Sequence, residues 1–114
     1  MSDLYIKTTP AFDRQAKKSM SKEALEELLD YLIAHPESGD VIRGSGGVRK
    51  LRWRSGKNDK GKSGGVRVIY HYSYSSLIIL ITIYGKSEKE DISDAERNEI
   101  KRLLPGLIEK YRGK

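Results

Sequence analysis

The chain has 114 residues, no cysteine and a net charge of +6. This length suits a single domain spanning residues 1–114, and the lack of cysteine excludes a disulfide framework and a thiolate metal site. No signal-peptide pattern opens the chain and no apolar run approaches the ~20 residues of a membrane span. We therefore expect a cytoplasmic protein with no membrane contact.

Positive charge is concentrated in one segment of the chain. Nine Lys and Arg residues lie between Arg43 and Arg67, where Asp59 is the only acid, so this segment carries +8. Such a concentration points to a polyanion partner, above all nucleic acid. A solubilising surface is the plainer alternative.

The first part of the chain is predicted to form one strand and two helices. Leu4–Lys7 is a strand candidate, and Pro10 after a capping Thr9 begins a short helix. Ser21 caps a second helix, which Pro36 ends. The apolar residues of the second helix follow a single stripe: Leu25, Leu28, Leu29, Leu32 and Ile33.

Glycines 44, 46 and 47 form a tight connection rather than a phosphate-binding loop, because no helix follows them. The strand predicted next, Val48–Arg54, has one nearly all-cationic face. Its two faces consist of Val48, Lys50, Arg52 and Arg54 on one side and Arg49, Leu51 and Trp53 on the other. We interpret Trp53 as a core anchor rather than a platform for stacking a base.

Ser55–Gly65 is a basic loop rich in glycine and serine. It is either a solvated hairpin tip or an arm that binds phosphates, and its cations are Lys57, Lys60 and Lys62.

The runs Val66–Ser73 and Leu77–Tyr84 predict an antiparallel hairpin at the centre of the fold. The second run is apolar on both faces, which is typical of a central strand covered on both sides. In the first run, Arg67 lies on the face that we expect to be wetter. Arg67 and Lys86 would thus be charges at the rim of the hairpin.

A final helix begins with the capping box Ser93–Glu96. Pro105 should kink or break it near Leu104. Its apolar stripe consists of Ile100, Leu103, Leu104, Leu107, Ile108 and Tyr111. The predicted fold is α+β, in the order β-α-α-β-β-β-α, with a mostly antiparallel sheet and helices packed against it.

Three motifs in register resemble the RelE superfamily, and most closely its HigB-type branch. They read P-x-x-G-D-V-I-x-G-S-G-G-V-R-K-L-R from Pro36, G-G-V-R-V-I-Y from Gly64 and L-I-T-I-Y-G-K from Leu80. The likeness runs from about Leu25 to Ile108. It implies a small RelE-like toxin domain from a type II toxin–antitoxin pair that cleaves mRNA on the ribosome without a cofactor or metal. The implied partner is a cognate helix-turn-helix antitoxin of the HigA type, through which alone the toxin would meet operator DNA.

The resemblance also implies which residues carry the chemistry. Cleavage by the 2′-hydroxyl needs a base, cations for the charge that develops on phosphorus and an acid for the leaving oxygen. The implied catalytic residues are Lys50, Arg52, Arg67, Tyr84 and Lys86. Five further cations of the basic segment would bind RNA, and these are Arg49, Arg54, Lys57, Lys60 and Lys62.

The base is the feature in which the chain departs from this pattern. Many relatives carry a Tyr or His shortly after the Gly-Lys pair, but residues 87–94 contain neither. Tyr84, His71, Glu88 and Glu90 are the substitutes that the sequence offers. We expect His35, at the end of the second helix, to have no catalytic role.

Two other functions stay open. ParE-like members of the same superfamily poison DNA gyrase, although they generally lack the cationic set that Lys50, Arg52 and Arg67 form here. A non-catalytic nucleic-acid-binding module would need only charge and surface.

Overall fold

The computed structural model describes residues 4–57, 65–73, 76–86, 88–89 and 91–112. Within them the chain forms five strands and three helices. These are β1 (Tyr5–Thr8), α1 (Pro10–Ser19), α2 (Lys22–Ala34), β2 (Asp40–Val41), β3 (Val48–Trp53), β4 (Val66–Ser73), β5 (Leu77–Gly85) and α3 (Asp94–Arg112). The α+β class is confirmed, and the two-residue β2 is an addition to the predicted order. None of the helices in these ranges is long and apolar enough to cross a membrane.

The strands form one sheet in the order β1-β5-β4-β3-β2. β1 pairs with β5 in parallel, and every other pair is antiparallel. The predicted hairpin of β4 and β5 is confirmed, with β5 in the interior of the sheet. A register shift between Ile69 and Tyr70 interrupts the ladder, and the Thr9 hydroxyl donates a hydrogen bond to the carbonyl of Ile81 near this irregularity (2.6 Å).

Helices α1 and α2 cover one face of the sheet. Their starts follow the predicted capping, because the Thr9 and Ser21 hydroxyls accept hydrogen bonds from the backbone of Phe12 and Ala24. The α2 stripe is partly wrong: Ile33 is 50% exposed, and Ala24 is fully buried instead. The first core consists of Phe12, Ala16, Met20, Ala24, Leu28 and Leu32 against Val66, Val68, Tyr70, Ile78, Leu80 and Ile83.

Helix α3 crosses to the opposite face and covers a second core. The predicted capping box is present, with reciprocal hydrogen bonds between Ser93 and Glu96 (2.8 and 3.1 Å). Of the two predicted outcomes at Pro105, the break is wrong, because α3 continues through this residue, and the kink stays a prediction. Leu103 is exposed rather than buried. The buried members of this second core are Val48, Ile69, Leu77, Ile79, Ile81, Tyr84 and Leu104.

The prediction that one face of β4 is exposed to solvent is wrong, because that face belongs to the second core, to which α3 contributes. Arg67 lies on that face and is only 7% exposed, and His71 on the same face is 8% exposed. The alternation of β4 was correctly predicted, but its second face belongs to a core rather than to solvent. Arg67 is therefore a buried cation.

The two ends of the described chain meet at β1. The Tyr111 hydroxyl at the end of α3 donates a hydrogen bond to the carbonyl of Thr8 (3.1 Å). Together with the parallel pairing of β1 and β5, this bond ties the first strand to the C-terminal third of the chain.

Candidate functional site

Three of the predicted catalytic side chains form a row across the centre of the sheet. Arg52 of β3 is paired with Arg67 of β4, and Arg67 is paired with Tyr84 of β5. Directly opposite residues of an antiparallel pair project from the same face, with Cβ atoms about 4.5–5.5 Å apart. Lys50 lies two residues before Arg52 and so projects from the same face as the row.

Arg67 is the most constrained member of the row. Its chain neighbours Val66 and Val68 are buried in the first core. Among the described residues, its guanidinium Nη1 donates one long hydrogen bond, to the carbonyl of Val66 (3.4 Å). Burial normally requires a cation to have a partner. In the part of the chain that the structure describes, no carboxylate lies within ion-pair distance of Arg52 or Arg67.

Lys50 has an internal anion. Its Nζ forms an ion pair with a carboxylate oxygen of Asp91, in the segment between β5 and α3. Lys50 is the more enclosed partner, with 23% of its side chain exposed against 64% for Asp91. Lys50 is therefore already paired with an anion of the protein itself.

Tyr84 is 4% exposed. Burial raises the pKa of its phenol to about 12, and the negative charge of Asp91 adds to this shift, whereas the positive charge of Arg67 opposes it. The phenol is therefore protonated at neutral pH and can donate a hydrogen bond but cannot act as a base. The ammonium of Lys89 lies 5.0 Å from the centre of the Tyr84 ring.

Lys86 follows β5 directly and is half-buried. Its backbone amide donates a hydrogen bond to the carbonyl of Gly65, just before β4 (3.2 Å). This bond places Lys86 at the same end of the hairpin as Arg67. Glu88 follows, and its carboxylate accepts a hydrogen bond from the amide of Gly85 (2.7 Å).

The cations predicted to bind RNA do not all join the row. Arg49 donates hydrogen bonds to the carbonyls of Glu37 and Gly39 (3.0 and 2.8 Å). Arg54 lies beyond the end of β3 and binds Glu27 of α2 (2.6 Å), so the structure does not bring it together with Lys50 and Arg52.

Of the three lysines in the basic loop, the structure describes one. The Lys57 ammonium lies against the C-terminal end of α1 and donates to the carbonyls of Lys17 and Lys18 (3.3 Å each). Lys60 and Lys62 lie outside the described residues.

The histidines and the tryptophan have structural contacts. His71 Nδ1 lies 2.8 Å from the carbonyl oxygen of Gly47, and His35 occupies the C-cap of α2. Trp53 packs against the first core and donates its Nε1 hydrogen to the carbonyl of Ala24 (3.0 Å). The interpretation of Trp53 as a core anchor is confirmed.

The sequence patterns did not indicate Asp91. They offered Glu88 and Glu90 as bases, but Glu88 binds the backbone of Gly85 and Glu90 lies outside the described residues. Asp91 pairs with Lys50, 41 positions earlier in the chain. The one signal in the sequence was the position of Asp91 between the Gly-Lys pair and the capping box, in the segment that joins β5 to α3.

A comparison with protein-family models identifies the family of the chain. Residues 5–111 match the model described as the RelE toxin of the RelE/RelB toxin–antitoxin system. The match covers β1 to α3 almost completely, including every member of the row. The chain belongs to the RelE toxin family.

Proposed function

We propose that this toxin is an endoribonuclease that cleaves mRNA on the ribosome and thereby inhibits translation. The observation that carries the proposal is the pair formed by Arg52 and Arg67. Two cations face each other at the centre of the sheet, one of them buried, and within the described residues neither has an acid to neutralise it. A phosphodiester bound from outside would supply the missing negative charge.

Arg67 is suited to hold the scissile phosphate. A planar guanidinium can bind two phosphate oxygens at once, which fixes their orientation as well as their charge. Because the buried strand holds Arg67 in place, its charge needs little reorganisation when negative charge develops on phosphorus. Arg52 would stabilise the same charge from β3, and Lys86 would contribute from the end of β5.

Asp91 is the best candidate for the base. The 2′-oxygen of the substrate bonds to phosphorus while its proton passes to the Asp91 carboxylate. The bond from phosphorus to the 5′-oxygen of the next nucleotide breaks in the same displacement. The ammonium of Lys50, next to Asp91, then protonates that leaving oxygen, and the protonated Tyr84 donates a hydrogen bond within the site. Every proton is accounted for by side chains of this protein.

Placement within the HigB-type branch, and with it a helix-turn-helix antitoxin of the HigA type, rests on the three sequence motifs. On this proposal residues 1–114 form one toxin domain, and operator DNA is contacted only through the antitoxin. The basic segment, including Arg49, Arg54, Lys57, Lys60 and Lys62, would supply affinity for ribosomal and messenger RNA.

Induction of this chain in a bacterium, with and without its antitoxin, tests the proposal. Growth should stop within one generation, and mapping of RNA 5′ ends should show new ends inside translated reading frames. Addition of an antibiotic that blocks translation before induction should abolish those ends. Continued growth with intact mRNA would overturn the proposal, and arrest with intact mRNA and broken DNA would indicate a gyrase poison.

A further inference from the structure

The alternation of side chains along β5 reverses once. Ile79 and Ile81 belong to the second core. In a regular strand successive side chains point to opposite faces, so Ile83 would join them and Tyr84 would point into the first core. The structure shows the opposite, with Ile83 in the first core and Tyr84 in the second. An irregularity in β5 is therefore what brings Tyr84 to the face of Arg67.

The register of the ladder identifies this irregularity as a β-bulge. Ile69 of β4 pairs with Thr82 of β5, and the next residue of β4, Tyr70, pairs with Leu80. Ile81 is thus an extra residue in β5, without a partner on β4. Bulges of this kind re-aim the side chains that follow them, and they are over-represented next to active sites.

Thr9, the residue between β1 and α1, binds the bulge from the other side of β5. Its amide donates a hydrogen bond to the carbonyl of Leu80 (3.1 Å), and its hydroxyl donates one to the carbonyl of Ile81 (2.6 Å). Successive carbonyls of a regular strand point to opposite edges, so one residue can bind both only where the strand is irregular. A buried carbonyl outside the ladder needs another donor, and Thr9, which is 7% exposed, supplies it.

The Thr9 hydroxyl also joins the bulge to α1. It accepts a hydrogen bond from the amide of Phe12 (3.0 Å), and Phe12 is 1% exposed in the first core. The helix thus fixes the oxygen atom that binds the bulge. A hydroxyl has one hydrogen to donate and lone pairs that accept, so threonine and serine can make both bonds, whereas valine can make neither.

We propose that Thr9 is a positioning residue for the catalytic row, which holds the bulge at Ile81 and thereby keeps Tyr84 opposite Arg67. This inference rests on the proposed ribonuclease function. Without the bulge, the pairing found on its N-terminal side in β5 would continue, and Arg67 would lie opposite Ile83. The row would then have an apolar side chain in place of the phenol. Thr9 acts only through the register of β5.

The register of β5 can be measured without RNA. In the isolated toxin, a strong cross-strand nuclear Overhauser contact between the backbones of Arg67 and Tyr84 reports the bulged pairing, and one between Arg67 and Ile83 reports the slipped pairing. Thr9→Val keeps the shape of the side chain, and we expect it to lose the contact with Tyr84. Thr9→Ser should keep that contact.

Single-turnover cleavage on programmed ribosomes measures the effect on the reaction. Thr9→Val should lower the rate at saturation by about 10²-fold, the cost of a misplacement of about 1 Å, with little change in the toxin concentration that gives half the maximal rate. Thr9→Ser should restore most of the rate. The double variant with Tyr84→Phe should be no slower than Tyr84→Phe alone, because Thr9 acts through that phenol.

Ser21→Ala is the matched control. The Ser21 hydroxyl caps α2 as Thr9 caps α1, since it accepts a hydrogen bond from the amide of Ala24 (3.1 Å). We expect Ser21→Ala to lose the stability of one cap and to cleave at the rate of the parent protein. If Thr9→Val does not fold, Thr9→Asp takes its place, because a carboxylate can cap α1 but has no hydrogen for the carbonyl of Ile81.

The two measurements separate failure of this inference from failure of the proposed function. If the variant without the hydroxyl keeps the contact between Arg67 and Tyr84, or slows cleavage no more than Ser21→Ala does, Thr9 is not a positioning residue. Additive losses in the double variant would also overturn the inference. If the contact is lost while even the parent protein leaves mRNA intact, Thr9 holds the bulge and the ribonuclease proposal fails.

Discussion

Arg52 and Arg67 are directly opposite each other on β3 and β4. Like charges in that relationship destabilise a sheet, and Arg67 is buried as well. Among the described residues no acid compensates for them. Such a local conflict is expected where a binding site needs charge that the fold itself does not.

Replacing Arg67 should therefore separate stability from activity. Arg67→Met keeps most of the side-chain volume and removes the repulsion, so we expect a gain of about 0.2–1 kcal/mol in the free energy of unfolding. Cleavage should fall about 10²–10³-fold, the usual cost of removing a preorganised charge. A thermal melt and single-turnover cleavage on ribosomes measure the two effects. Arg67→Lys should restore only part of the rate, and a variant that melts earlier yet cleaves normally would contradict both expectations.

Asp91→Asn should abolish the base without disturbing the fold. The exposed ion pair with Lys50 contributes at most about 1 kcal/mol, whereas removal of a general base typically costs about 10²–10⁴ in rate. Glu88→Gln is the matched control, because Glu88 is a nearby acid whose carboxylate binds the backbone of Gly85 rather than Lys50. We expect Glu88→Gln to cleave normally and Asp91→Asn to cleave at the reduced rate. Equal rates in the two variants would remove Asp91 from the reaction.

The buried Tyr84 predicts a loss of stability at high pH. Its pKa in the folded protein, about 12, lies above the value of 10.0 for an unperturbed tyrosine. The fold therefore favours the protonated phenol, so its contribution is complete below about pH 10 and is lost as the pH rises towards 12. A shift of this size corresponds to about 2–3 kcal/mol. Urea unfolding between pH 9 and 12 measures it, and Tyr84→Phe should show a correspondingly weaker pH dependence. Parallel curves for the two proteins would show that Tyr84 is not the titrating group.

The basic loop should contribute to affinity rather than to the chemical step. Replacing Lys60 and Lys62 by Ala should lower the slope of log K against log salt concentration by about 1.4, because each phosphate that is no longer neutralised on single-stranded RNA reduces it by ~0.7. The single-turnover rate at saturation should not change. Arg14→Ala is a control of equal charge per site on the exposed surface of α1. An unchanged slope would identify the loop as a solvated hairpin tip.

Local patterns predicted most of this fold. Alternation and apolar runs located β3, β4 and β5, and capping residues located all three helices, because these signals lie within a few residues of the element that they specify. The burial of Arg67 was not predictable in this way. It depends on packing between distant parts of the chain, because the face on which Arg67 lies belongs to the second core, to which α3 contributes only from Asp94 onwards.

The candidate site likewise combines residues that local sequence patterns indicate with residues that only the folded structure brings together. Motifs and charge indicated Lys50, Arg52 and Arg67, and strand pairing brings Arg52, Arg67 and Tyr84 into one row. Asp91 was missed because its only mark in the sequence is its position between the Gly-Lys pair and the capping box. Its role comes from the position of the segment before α3, which pairs it with Lys50.

The bond from Tyr111 to Thr8, together with the parallel pairing of β1 with β5, has a consequence for synthesis. A nascent chain that ends before β5 lacks the strand that pairs with β1, the acid that pairs with Lys50 and the helix that completes the second core. Contacts that span so much of the sequence also form slowly, since a large loop must close first. We therefore expect the unfinished chain to lack the proposed activity, so that an antitoxin is needed only once α3 has been synthesised.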